Sequence, residues 1–229
     1  MSGHLSPGGQ QFRDDRGTAD PRVAAALAAY LEGRGSEQAA LAALAAVRLL
    51  VPVVAVLADG TAAEGDKNSE MMLPKLIGRD GRQAVLAFTG LDALARWRPD
   101  ARPVPAEADR VWRGAVAEGC AVVIDVAGPV PLAVEGARLE ALAAGRPVPP
   151  AHEDPDVRAE VEAALAGEPA IAGFSLAPGA EADLTLRLRV AGEHWQPAVS
   201  RVADRVAARL APRLRRGVEL SVTRDPIGS

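Results

Sequence analysis

Apolar positions along the chain change period several times, and each change marks an element. Val23, Leu27, Tyr30 and Leu31 share a helical face after Asp20 and Pro21, a capping residue followed by a first-turn proline. Gly33 and Gly35 stop that helix, and Ser36 caps a second, from Glu37 to about Arg48, with Leu41, Leu44 and Val47 in register. The pattern then becomes a β-branched run, Val51 to Leu57, which predicts a buried strand.

Beyond a polar loop, Asp59 to Ser69, a strand is expected from Met71 to Ile77, with Pro74 marking an edge or a bulge. Asp80-Gly81 lies between two strand-like runs, so Gln83 to Phe88 should pair antiparallel with the strand before it. Thr89-Gly90-Leu91-Asp92 has the form of a capping box and opens a helix to Trp97, after which Pro99, Pro103 and Pro105 predict an extended link. A helix from Glu107 to Glu118, a strand from Ala121 to Val126, a short return strand from Pro131 to Val134 and a helix from Glu135 to Ala144 follow.

The proline-rich stretch 146–155 reads as a linker between domains. After it come a helix, Asp156 to Leu165, and a strand, Ala170 to Leu176. Residues 183–190 alternate strictly, with Leu184, Leu186, Leu188 and Val190 on one face and Asp183, Thr185, Arg187 and Arg189 on a wet one. A long helix, Gln196 to Leu210, precedes a closing strand, Val218 to Val222. The expected organisation is therefore a disordered tail (1–20), an N-terminal domain (21–145), the linker, and a small C-terminal domain (156–229). The fold class is α+β, with a mixed or antiparallel sheet packed with helices in the first domain and a two-layer β-β-α-β sandwich in the second.

Composition sharpens this picture. Aromatic residues make up 3% of the 229 residues, so the cores must be built from alanine, valine and leucine. The net charge of −4 argues against a nucleic-acid partner, because phosphate binding needs a basic face. Cys120 is the sole cysteine, which excludes an intrachain disulfide and suits a reducing, cytoplasmic compartment. The N-terminal residues lack the apolar run of a secretory signal. Residues 39–58 are apolar apart from Arg48, but an arginine at a helix centre costs about 2.5–3.5 kcal/mol on insertion and Pro52 interrupts the helix, so no membrane span is expected.

Three groups of residues resemble a known family when taken together. They are Asp66-Lys67-Asn68-Ser69-Glu70-Met71, then Gly78-Arg79-Asp80-Gly81-Arg82, then Leu86-Ala87-Phe88-Thr89. Trp97, Pro99, Arg102-Pro103-Val104 and Asp125-Val126-Ala127-Gly128-Pro129 extend the likeness. The set resembles the SseB-like family, named for enhanced serine sensitivity, over roughly Val23 to Val134, and the remainder is similar to the less distinctive second domain that follows in that family. The resemblance implies no reaction and no agreed catalytic residues, since the serine label describes a cellular phenotype.

The candidate chemistry is sparse. Asp66, Lys67 and Asn68, in a loop with Gly60 and Gly65, are candidate ligand-binding residues, although the loop lacks the spacing of a phosphate-binding P-loop. Asp125 is a fourth, at the end of a buried strand, where sites gather in α/β sheets. Cys120 has no base at readable spacing and reads as a small buried hydrophobe. His152, Glu153, Asp154 and Asp156 read as a solvated linker rather than a metal site, and His194-Trp195 as a helix-start packing pair. Arg201, Arg205 and Arg209, with Arg213, Arg215 and Arg216 beyond them, read as a solvated basic face. No catalytic set, metal or cofactor is implied. The expectation is a non-catalytic interaction or regulatory protein with an unknown protein partner and with self-association left open. The alternative is an enzyme or sensor for a small, amino-acid-related molecule with a site between the domains.

Overall fold

The computed structural model describes residues 15–56, 70–72, 74–78 and 81–224. The fold is α+β, as the sequence pattern predicts. The chain forms two compact units, one made of the described residues up to Ala25 with Ala43–Arg146, the other of Ala26–Ala42 with the described residues from Pro147 onward.

In the first unit, β1 (Arg48–Val56) pairs antiparallel with β2 (Glu70–Met72) on one side and β5 (Arg102–Glu107) on the other. A second sheet has the order β3 (Lys75–Ile77), β4 (Gln83–Ala87), β6 (Ala121–Ile124), β7 (Leu132–Val134). Within it β4 and β6 run parallel, while the outer strands are antiparallel to them. A bridge joins the two sheets, in which Leu50 and Phe88 exchange both backbone hydrogen bonds at 2.8 Å. Leu50, Leu86, Phe88 and Leu94 bury one side of this surface with α3 (Leu91–Trp97), where the Phe88 and Trp97 rings lie 5.5 Å apart. Helices α4 (Ala108–Ala117) and α5 (Gly136–Ala143) pack on each other, and Trp112 is fully buried.

Four sequence expectations are corrected here. The second helix, α2 (Glu37–Leu44), ends before Arg48, because Arg48 opens β1 and pairs with Glu107. The Met71 to Ile77 run is two short strands in different sheets, with the break at Pro74. The proline-marked link is strand β5. Leu50 bonds away from β5, toward Phe88, so its opposite number Pro105, and Pro103 two residues earlier, occupy positions whose amides would point away from β1. A sheet edge tolerates prolines there because no partner needs those N–H groups. The fourth concerns α3, whose N-cap is Gly90 with no side-chain cap, so Thr89 does not form a capping box.

In the second unit, β8 (Ile171–Ala177) and β9 (Leu184–Val190) form an antiparallel hairpin. Helix α7 (Gln196–Leu210) then carries the chain to β10 (Val218–Arg224), which lies parallel to β9 on its other side. This β-β-α-β order leaves β9 central, and its four aliphatic side chains pack under α7 and α6 (Pro155–Leu165). Val157, Val161, Val202, Val206 and Leu210 supply the helical layer, all at most 2% exposed. Thr185 lies on the face assigned to water but is buried there, its hydroxyl bonded to the Pro178 carbonyl and to Glu219, each at 3.2 Å. Helix α1 (Pro21–Leu31) buries Val23, Leu27 and Tyr30 as expected, while Leu31 stays 43% exposed.

Leu186, fully buried at the middle of β9, should cost about 2–5 kcal/mol when cut to alanine, whereas Ile77→Thr at a 73% exposed position should stay within about 0.5 kcal/mol. Urea unfolding of the two variants checks the contrast.

Candidate functional site

The parallel pairing of β4 and β6 brings their carboxyl ends side by side, and Asp125 follows β6 directly while Thr89 lies just past β4. Asp125 has φ +47°, a left-handed conformation that aspartate tolerates better than most residues. Its N–H donates to the Ala87 carbonyl at 3.0 Å, and its own carbonyl accepts from Gly128 N–H at 2.7 Å, closing a turn. A Cβ on Gly128 would sit 2.9 Å from that of Asp125, so the turn requires glycine.

The Asp125 side chain is buried, and both its oxygens are engaged. Oδ1 accepts from Thr89 N–H at 2.8 Å, and Oδ2 lies 2.6 Å from the Thr89 hydroxyl. Burial pushes the Asp125 pKa up; the two Thr89 hydrogen bonds and the charge of Arg96 pull the other way without cancelling it. Thr89 therefore latches the β4–α3 corner to β6.

Past the carboxyl end of β4, the groups around Thr89 meet a segment of the chain itself. Arg48 donates to the Thr89 carbonyl at 3.0 Å and the Thr18 carbonyl at 2.7 Å, and its Nε lies 2.5 Å from Asp15. Leu91 N–H, at the uncapped start of α3, donates to the Gly17 carbonyl at 2.7 Å. Residues 15–19 thus satisfy the Arg48 guanidinium and the first free N–H of α3.

A second polar cluster lies wholly within the C-terminal unit. Asp154 caps α6, accepting from Asp156 N–H at 2.8 Å, and its other oxygen lies 2.5 Å from Arg213 Nη2. The same guanidinium reaches Glu37, in the first turn of α2, at 3.2 Å. Tyr30 donates its hydroxyl to the Arg213 carbonyl at 2.9 Å. Burial works against the Arg213 charge, but the two carboxylates outweigh it and hold the pKa above the usual arginine value. Beside this cluster is a cleft of about 260 Å³, lined by Glu37, His152, Asp183, Arg213 and Arg216 among others. Arg216 is bonded to Asp183 through Nε at 2.9 Å and through its backbone N–H at 2.8 Å.

Asp154 is 1% exposed and is no part of a solvated linker. Its Asp-Pro pairing was a readable helix-start signal. Its guanidinium partner, 59 residues further on, had no signal in the sequence. The basic face is also less free than its spacing implies. Arg201 and Arg205 both bond Glu168 at 2.7 Å, and Arg209 bonds Glu160 at 2.7 Å. Cys120 is buried, 3.5 Å from the Glu118 carbonyl, and Lys75 lies near it through an ion pair to Glu118 at 2.7 Å that raises the lysine pKa. Trp195 packs at the start of α7 with the Arg224 guanidinium over its ring. Asp66, Lys67 and Asn68 lie outside the described residues. Among the described residues, no group of three or more His, Cys, Asp or Glu could hold a metal, and no helix is long and apolar enough to cross a membrane.

The family model of the SseB protein N-terminal domain matches residues 23–141. This chain belongs to the SseB family. No curated protein and no solved structure matches it. In this SseB-family chain the matched residues include the whole Thr89–Asp125 latch and the Arg48 side chain beneath it.

Asp125→Ala strands the Thr89 N–H and should lose roughly 1–3 kcal/mol, while Asp125→Asn keeps an acceptor for it and should lose less. The folded protein binds the Asp125 proton more tightly than the unfolded chain does, so this group's contribution is present below the ordinary carboxylate pKa and declines as pH rises through the elevated one. Asp125→Asn should remove that part of the slope in urea titrations across the acidic range. Arg213→Ala leaves two buried carboxylates without their cation and should cost about 3–5 kcal/mol in the same assay.

Proposed function

We propose that this SseB-family chain is a non-catalytic interaction or regulatory protein acting in the cytoplasm, with a protein as its partner. The observation that carries this reading is the Asp125 carboxylate: the best-placed acid at the strand ends spends both oxygens on Thr89. A general acid or base must reach a substrate proton at hydrogen-bond distance, and this one is already turned inward. The acidic net charge favours a protein partner over nucleic acid, and a single thiol with no disulfide suits a reducing compartment.

A second reading, a sensor of a small molecule, draws support from the cleft beside Arg213, where guanidinium and carboxylate groups of Arg216, Asp183 and Glu37 converge. Affinity capture from lysate of the source cells, with proteins and metabolites both identified by mass spectrometry, separates the two. A stoichiometric protein partner is the expected result. A co-purifying metabolite without a protein would overturn the first reading in favour of the sensor.

A further inference from the structure

Among the described residues, five of the six strands at sheet edges are short or interrupted. β2, β3 and β7 have three residues each, β5 carries Pro103 and Pro105, and β8 has a register shift between Ile171 and Gly173. Short length, proline and bulges are the devices that keep a sheet edge from pairing with another chain. The sixth edge strand, β10, has none of them. Its seven residues, Val218–Arg224, contain no proline or glycine and follow β9 in unbroken register, and no described strand pairs with their outer edge.

The side chains of this edge read alike in both directions about Leu220. Val218, Leu220 and Val222 stand opposite Leu184, Leu186 and Leu188, which puts them on the face that α6 and α7 cover. Val218 and Leu220 pack against that core in part, while Val222 is 36% exposed. Glu219 and Ser221, between them, are exposed on the other face. In an antiparallel pair opposite residues share a face, so a second copy turned about a two-fold axis through Leu220 sets Leu220 against its counterpart, Val218 against Val222 and Glu219 against Ser221. Apolar rows then meet apolar rows. Glu219 Oε2 already accepts from Thr185 at 3.2 Å, and a carboxylate has further lone pairs for the serine hydroxyl. Other registers match worse. An axis at Glu219 opposes two carboxylates, one at Ser221 sets Val218 against Arg224, and one at Val222 sets Leu220 against Arg224, whose guanidinium lies over the Trp195 ring.

We infer that two copies of this chain associate through β10, antiparallel about Leu220, joining their three-stranded sheets into one of six strands. The self-matching order of apolar and polar positions is what favours a second copy over a strand from an unrelated protein. The inference goes beyond the partner reading above and does not depend on it.

Sedimentation velocity of the full chain, over a concentration series reaching about 1 mM, tests it. A reversible monomer–dimer equilibrium is expected. Val222→Lys sets a lysine against Val218, and Ser221→Glu sets a second carboxylate against Glu219; each should weaken the dimer about tenfold or more. Both should leave the melting temperature of the dilute monomer unchanged, and if Val222→Lys lowers it, Ser221→Glu on the exposed face decides. Register is read by disulfide formation under mild oxidation. Glu219→Cys mixed with Ser221→Cys should cross-link, while either alone should not, because opposite residues are within reach of a disulfide and diagonal ones lie about 7–8 Å apart. A monomer at every concentration, a dimer indifferent to both substitutions, or cross-linking as ready in one variant alone as in the mixture would each overturn the inference. A monomer that captures another protein through an edge blocked by Val222→Lys would overturn it too, while leaving the interaction reading in place.

Discussion

Burying one aliphatic sheet face beneath helices is the constraint from which the rest of each unit follows. With few aromatic rings available, β9 commits Leu184, Leu186, Leu188 and Val190 to a single face, and α6 and α7 must lie over it. Period-2 alternation leaves the opposite face to Thr185, Arg187 and Arg189. The charge of that outer face is thus a by-product of how the core is patterned.

Aliphatic packing is non-directional, and each unit carries a polar contact that fixes orientation where packing alone would not. In the first, the Asp125 carboxylate ties the corner after β4 to the turn after β6. In the second, Arg213 joins the start of α2 to the start of α6 from a position just past α7. Each is desolvated, so losing one partner leaves a buried group unsatisfied, and that asymmetry gives these contacts more weight than surface ion pairs of similar length. Side chains committed in this way are poor candidates for chemistry, which is why the functional reading rests on surfaces.

The residues singled out in the sequence divide by how local their partners are. The hairpin leading into β4, the helix after Asp154-Pro155 and the alternation of β9 were legible because each depends on neighbours within a few positions. Thr89 was misread for the same reason: its local spacing fits a capping box, but a buried carboxylate 36 residues away competes for the hydroxyl and wins. Prolines 103 and 105 were read as an extended link and not as a strand, because their tolerance in a sheet depends on which side of the strand the partner occupies.

The sequence by itself determined the fold class, the order of most elements, the aliphatic character of the cores and membership of the SseB family, because periodicity and short motifs are properties of consecutive residues. Tertiary structure alone decided that β4 and β6 run parallel, that Arg48 bonds the Thr18 and Thr89 carbonyls, and that Arg213 is an internal clamp. Those outcomes depend on which distant segments become neighbours, and Coulombic and hydrogen-bond energies act over a few ångströms of space irrespective of separation along the chain.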